Sequence, residues 1–202
     1  LNNIGETIFT RDQYTQNLLL ENNIKSQTSH CLTLTLKRSV KLPKEDFVII
    51  DERVHLTNDV SAFISNLGYK IVMLDIENKN LTNLYFKENI EHAKYNLDLI
   101  CKARFVITTR VHLALPSISL GTKVIYCAHK DSRHQGYEKL INYWFNSSND
   151  VNIDILNELL ENDNFYNKET LMDIRTGFYN TIRRYYQINN LICYDKGVIN
   201  RK

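Results

Sequence analysis

Glycine and proline are scarce here, six and two among 202 residues. No glycine-rich phosphate loop is spelled out: neither GxxxxGK followed by Ser or Thr nor GxGxxG occurs, and HExxH and GxSxG are missing too. Support therefore falls away from phosphate-loop nucleotidases, dinucleotide enzymes of the usual fingerprint, zincins and serine hydrolases. Hydrophobic runs are short. None approaches the roughly 18 residues of a membrane-spanning helix, and Leu1-Asn2-Asn3-Ile4-Gly5 lacks the charged and apolar regions of a signal peptide. The expected location is the cytoplasm. Charge of one sign is lacking as well: 25 Lys and Arg against 23 Asp and Glu leave a formal +2, which supplies no footprint for nucleic acid. Cys31, Cys101, Cys127 and Cys193 show no CxxC spacing, and three lie in apolar segments where a thiol packs as a small hydrophobe. His30, His55, His92, His112, His129 and His134 meet no Cys or carboxylate at metal-ligand spacing on one helix face, so no metal is expected.

What is present is an alternation of two periods. Thr7 to Phe9 reads as a short strand, Thr10 as the N-cap of a helix ending near Asn22-Asn23, and Ile24 to Ser26 and Cys31 to Leu36 as extended segments. Lys37 to Lys44, with Pro43, reads as a linker. Beyond it, short apolar runs predict strands near 47–50, 70–74, 104–108 and 123–127, all parallel. Between them come helices from Thr57 to Leu67, with Val60, Phe63, Ile64 and Leu67 on one face, from Asn83 to about Lys102, with Ile90, Ala93, Leu97, Ile100 and Cys101 inward, and from Val111 to Leu120 despite Pro116. Tyr137 to Phe145, Ile153 to Leu160 and Glu169 to Tyr186 are the remaining helix candidates. In the last, Leu171, Ile174, Phe178, Ile182 and Tyr185 are expected inward, and Arg175 and Arg183 outward or toward a preceding domain. Strands alternating with helices imply an α/β fold, a Rossmann-like parallel sheet flanked by helices.

Ligands of such sheets gather beyond the C-terminal strand ends, where helix N-termini present backbone N–H groups. Thr108-Thr109-Arg110-Val111-His112 occupies that position. Its guanidinium can clamp a phosphate or carboxylate, and its imidazole can donate to an anion or relay a proton. The next strand runs into Lys130, Asp131, Arg133 and His134, a donor-rich loop at the same sheet edge. The bland alternative is an Arg that bridges loops, a buried structural His and a solvated charged loop. On the functional reading Arg110→Ala weakens donor binding and leaves folding nearly untouched.

The run Asp98 to Pro116, continued by Leu120 to Ile125, resembles the polysaccharide pyruvyl transferase family, whose Thr-X-Arg-X-His turn is matched by Thr108, Arg110 and His112. Arg11-Asp12-Gln13-Tyr14-Thr15 resembles a second segment of the family, Ser29 to Leu36 and Asp131 to Gly136 two stretches of one branch. The likeness covers most of residues 5 to 145. Two residues depart from it: His30 stands where that branch has Gly, and Val111 replaces Leu. The resemblance implies the second half of a GT-B-like two-domain protein: residues 1–42 a remnant of the N-terminal domain and linker, 43–150 a Rossmann-like C-terminal domain, and 151–202 a helical tail. It also implies transfer of a pyruvyl group from phosphoenolpyruvate to sugar hydroxyls of a glycan as a ketal, with no cofactor. His112 and Arg110 would then be catalytic. Thr109, Arg133, Asp131, His134, Lys130, Arg11 and Asp12 would bind substrate. The partners implied are phosphoenolpyruvate, a sugar or glycan acceptor, and a missing N-terminal domain, with peripheral contact to a lipid-linked acceptor in place of a transmembrane segment. Two rivals stay open. One is a GT-B glycosyltransferase with a nucleotide-sugar donor, for which Glu77 is the candidate ribose partner; the other is a non-catalytic carbohydrate-binding or assembly module using Tyr179, Tyr185 and Tyr186.

Overall fold

The computed structural model describes residues 7–37, 42–74, 86–131, 134 and 136–188, of which 184–188 by backbone alone. Five strands form one sheet: β3 (Phe47–Asp51), β4 (Lys70–Leu74), β5 (Phe105–Thr108), β6 (Lys123–Cys127) and β7 (Trp144–Phe145). They lie in the order β4-β3-β5-β6-β7, every pair parallel. Before them, β1 (Ile8–Thr10) and β2 (Ser26–Thr28) pair in parallel around α1 (Gln13–Glu21). The helices of the main layer are α2 (Asn58–Asn66), α3 (Phe86–Lys102), α4 (Val111–Ser119), α5 (Ile153–Glu161) and α6 (Lys168–Ile188).

The inner strands β3, β5 and β6 are buried on both faces, since alternate side chains point to opposite sides, whereas the edge strand β4 is partly exposed. Phe47, Ile49, Val106, Val124 and Tyr126 face a core shared with Leu113, Leu115 and Ile118 of α4 and with Leu171 and Ile174 of α6. Val48, Ile50, Phe105, Ile107, Ile125 and Cys127 face the other, shared with Val60 and Ile64 of α2 and with Leu156 and Leu159 of α5. From Leu113 to Ser119 every residue of α4 is buried. The helix continues past Pro116: the Leu120 N–H donates to the Pro116 carbonyl at 2.9 Å, and the Ser117 hydroxyl donates to the Leu113 carbonyl at 2.7 Å. Cys31, Cys101 and Cys127 are buried and are not in disulfides. Among the described residues no helix is long and apolar enough to cross a membrane. Cys193, Glu77 and residues 83–85 lie outside the described residues.

Several elements differ from the sequence reading. The first helix is capped by Asp12, whose Oδ1 accepts the Thr15 N–H at 2.8 Å; Thr10 ends β1 instead. Pairing with β1 selects Ser26–Thr28 as the strand, two residues beyond the expected start. Residues Leu32–Thr35 form a 3-10 turn, not a strand. Among the described residues no strand pairs with them; the Leu34 and Leu36 carbonyls are taken by the Ser119 hydroxyl and the Arg175 guanidinium, and Leu34 is driven into the core. Arg175 turns to the 32–36 segment, within the 1–42 stretch read as the end of the first domain, which is one of the two directions expected for it. The expected helix over Tyr137 to Phe145 is a series of turns followed by β7. Gly136 enters it at φ 97, the Tyr143 carbonyl accepts the Tyr126 N–H at 2.9 Å, and the Trp144 indole N–H donates to Ala128 at 2.7 Å, which draws the segment along the sheet edge. Ile90 and Ala93 of α3, Leu67 after α2 and Ile182 of α6 are exposed, whereas Ile100, Cys101, Leu171 and Ile174 are buried as expected.

Candidate active site

The sheet reverses direction of winding between β3 and β5, the two strands on either side of which the chain proceeds outward. Crevices beyond the C-terminal strand ends at such a point are where open α/β sheets bind ligands. Here β3 ends in Asp51 and β5 runs into Thr109 and Arg110. The Asp51 carboxylate is fully buried. Its Oδ2 accepts the Thr108 hydroxyl at 2.9 Å, the Thr109 hydroxyl at 3.0 Å and the Thr109 N–H at 3.1 Å. Its Oδ1 accepts the Arg53 N–H at 3.1 Å and Arg110 Nε at 3.2 Å. Burial pushes this carboxyl up, but the hydrogen bonds from Arg53, Thr108 and Thr109 outweigh it and hold Asp51 below the usual carboxylate value. It is an ionised hub for the whole turn.

Arg110 is 8% exposed and pairs with Glu52 through Nη2 at 2.5 Å as well as with Asp51. Its backbone occupies the N-cap position of α4, and its own side chain makes no cap hydrogen bond. That leaves the positive end of a buried helix without a side-chain cap. Across from it, Arg11 Nη1 lies 3.0 Å from His112 Nε2. A guanidinium only donates, so Nε2 must accept and Nδ1 carries the proton. Burial, then the charge of Arg11, lowers the His112 pKa, and the imidazole is neutral at physiological pH.

These groups open onto a cleft of about 520 Å³ lined by Arg11, Arg53, Arg110, His112, His129 and Asp131, among others. That lining holds three arginines and one carboxylate; Arg110 is already paired with Asp51 and Glu52, so it is Arg11 and Arg53 that make the cleft favour an anion. His134 is also in the lining, but it is 8% exposed and locked into an aromatic cluster. Its Nδ1 is 3.1 Å from Asp131 Oδ1 and its Nε2 shares a hydrogen bond of 2.9 Å with the Tyr126 hydroxyl, while Trp144 packs edge-on against both rings. Thr109 lines the cleft with its hydroxyl already committed to Asp51. Asp12 and Lys130 are not in the lining: Asp12 caps α1, and Lys130 stands over the Trp144 ring at 5.4 Å. Arg133 lies outside the described residues. Sequence reasoning missed Asp51, Glu52 and Arg53. The available signal was an acidic residue directly closing an apolar strand, followed by two more charges. Among the described residues no group of three or more His, Cys, Asp or Glu is placed to hold a metal ion.

The fold and cleft define an α/β protein with a cationic pocket at the winding switch of its sheet. The family model of polysaccharide pyruvyl transferase matches residues 1–132, well over half of the 202. The chain belongs to the polysaccharide pyruvyl transferase family, a family of transferases. No curated protein and no solved structure matches it.

Proposed function

We propose that the cleft takes phosphoenolpyruvate as donor and transfers its pyruvyl group to two hydroxyls of a sugar. The observation that carries this reading is the Arg11 to His112 contact inside a cleft lined by three arginines. A donor bearing phosphate and carboxylate together needs several cations held at fixed positions, and it needs one group able to deliver a proton. Arg11, Arg53 and the N-terminus of α4 supply the anion contacts, with Arg110 completing the field from its anchored position.

In the reaction the donor's methylene carbon gains a proton and becomes a methyl group. One sugar oxygen bonds to the adjacent carbon and loses its proton; the carbon–oxygen bond to phosphate breaks; a second sugar oxygen then closes the ketal and loses its proton. Of the two hydroxyl protons, one balances the methyl group and the other leaves with phosphate or solvent. His112 is the proton carrier. When donor phosphate draws Arg11 onto itself, Nε2 is released, and the nearby anion favours the imidazolium that burial and Arg11 had disfavoured. Charge neutralisation by preorganised cations contributes the rest.

The test is phosphate release from phosphoenolpyruvate in the presence of candidate glycans, with mass analysis of the acceptor. Release coupled to a pyruvyl adduct is expected. Consumption of a nucleotide sugar without phosphoenolpyruvate turnover would instead identify a glycosyltransferase and overturn the reading.

A further inference from the structure

On the other side of buried Tyr137 from the cleft lies a second pocket, of about 370 Å³, between β2, the 136–140 turn and α6. Its volume is within the roughly 300–1,000 Å³ of ligand sites. His30 is its unusual member. Its φ is 62, a left-handed conformation that disfavours any residue with a Cβ. The ring forms no hydrogen bond with any described residue, and Nδ1 is buried without a partner. A buried orphan N–H is harder to sustain than an orphan lone pair, so Nδ1 is the bare nitrogen and Nε2 holds the proton. Backbone strain maintained around an unsatisfied imidazole is a mark of a working side chain.

The rest of the lining states what the ring is for. Lys139 and Asp173 are exposed at the rim and have no ion pair or hydrogen bond among the described residues, so opposite charges stand ready without a net sign. Gln27 adds an amide, and Phe178 with Ile174 gives an apolar wall. Donors and acceptors of balanced charge beside an aromatic ring suit a neutral sugar, whose hydroxyls both give and accept hydrogen bonds and whose C–H face is apolar. Tyr137 links this pocket to the cleft: its ring lies 6.2 Å from that of His30, and its hydroxyl donates to the Arg11 carbonyl at 3.3 Å.

We propose that this pocket is a sugar-binding subsite, in which His30 through its unburied Nε2, with Gln27, Lys139 and Asp173, holds the hydroxyls of a neutral sugar unit against Phe178, one unit or more away from the sugar that is modified. The sugar chemistry follows from the lining; its membership in the acceptor glycan rests on the pyruvyl-transfer reading.

The isotope-labelled full protein is titrated with the methyl glycosides of glucose, galactose and mannose, following backbone amide shifts. At least one glycoside should shift Gly136 and Gly177 on either side of the pocket. His30→Gly, which suits the left-handed backbone, should lower that affinity about fivefold, the loss of one hydrogen bond, with a melting temperature equal to or above the parent's. Asp173→Ala, at an exposed and unbonded position, should lower affinity with stability unchanged. Absence of shifts at Gly136 and Gly177, or unaltered affinity in both variants, would overturn the subsite. Binding is read without phosphoenolpyruvate, so the two readings fail separately. Sugar binding here without phosphate release removes the pyruvyl reading alone, and phosphate release without shifts here removes the subsite alone.

Discussion

Removing the Arg110 guanidinium would leave a fully buried Asp51 carboxylate without its charge partner, a defect that typically costs about 3–5 kcal/mol. Arg110→Ala should therefore shift the urea midpoint strongly at unchanged slope, the opposite of the intact folding that the sequence alone suggests. Phosphate release per folded molecule should fall as well, because Arg110 also contributes to the cationic field of the cleft. His112 differs: exposed and bonded to Arg11 alone among the described side chains, it is replaceable without collapse. His112→Gln keeps a donor but carries no proton, and should lower phosphate release by about 10²–10⁴ fold, close to His112→Ala. Near-normal turnover in the glutamine variant would leave His112 an anion-binding role only. The lowered pKa values of His112 and His30 also make a statement about stability. Both groups resist protonation when folded and accept it near 6.5 when unfolded. Their contribution is complete above that pH and is lost as pH falls through the folded values. Melting temperature should decline on acidification below pH 6.5, and less steeply in Arg11→Ala, which removes one of the two causes acting on His112.

At the scale of elements, α6 is held by more than its apolar face. Arg175 donates to the Leu34 carbonyl at 2.8 Å, to the Leu36 carbonyl at 2.8 Å and to the Ser119 hydroxyl at 2.9 Å. One guanidinium thereby ties α6, α4 and the 3-10 turn together. Arg175→Met keeps the stem but strips these bonds, and should cost about 1.5–3 kcal/mol. Amide exchange measured on the variant should show protection falling first in Leu34 to Leu36 and in the first half of α6. The four strands β3 to β6 and most of the helices were legible because their patterns are long, apolar and periodic. Residues 31–36 and 137–145 were not. Alternating Leu and Thr suit a strand only where a neighbour offers hydrogen bonds, and the carbonyls of Leu34 and Leu36 meet Arg175 and Ser119 instead. Tyr137, Leu140 and Ile141 have helical spacing, yet pairing of Tyr126 and Cys127 with Trp144 and Phe145 draws the end of that segment into the sheet.

For the whole molecule, the pyruvyl-transfer proposal implies that donor binding in the cleft and folding are coupled. A ligand that binds only the folded state stabilises it by about 2.7 kcal/mol at a hundredfold excess over Kd. Phosphoenolpyruvate should raise the melting temperature, the rise should shrink with added salt as charges are screened, and Arg11→Ala should abolish most of it. No rise at saturating donor in low salt would count against the cleft as the donor site.

The sequence by itself determined the parallel sheet, since apolar runs buried on both faces between amphipathic segments have few other solutions, and it marked the Arg110-Val111-His112 turn by its place after a strand. Only the tertiary structure decided what those residues do to one another. Asp51 and Arg110 are 59 positions apart, and Arg11 and His112 are separated by 101. Ion pairing and hydrogen bonding act over a few ångströms, so it is the adjacency of β3 and β5, not sequence spacing, that commits Arg110 to a buried anchor, and the seating of the β1–α1 turn against the start of α4 that leaves Arg11 beside His112.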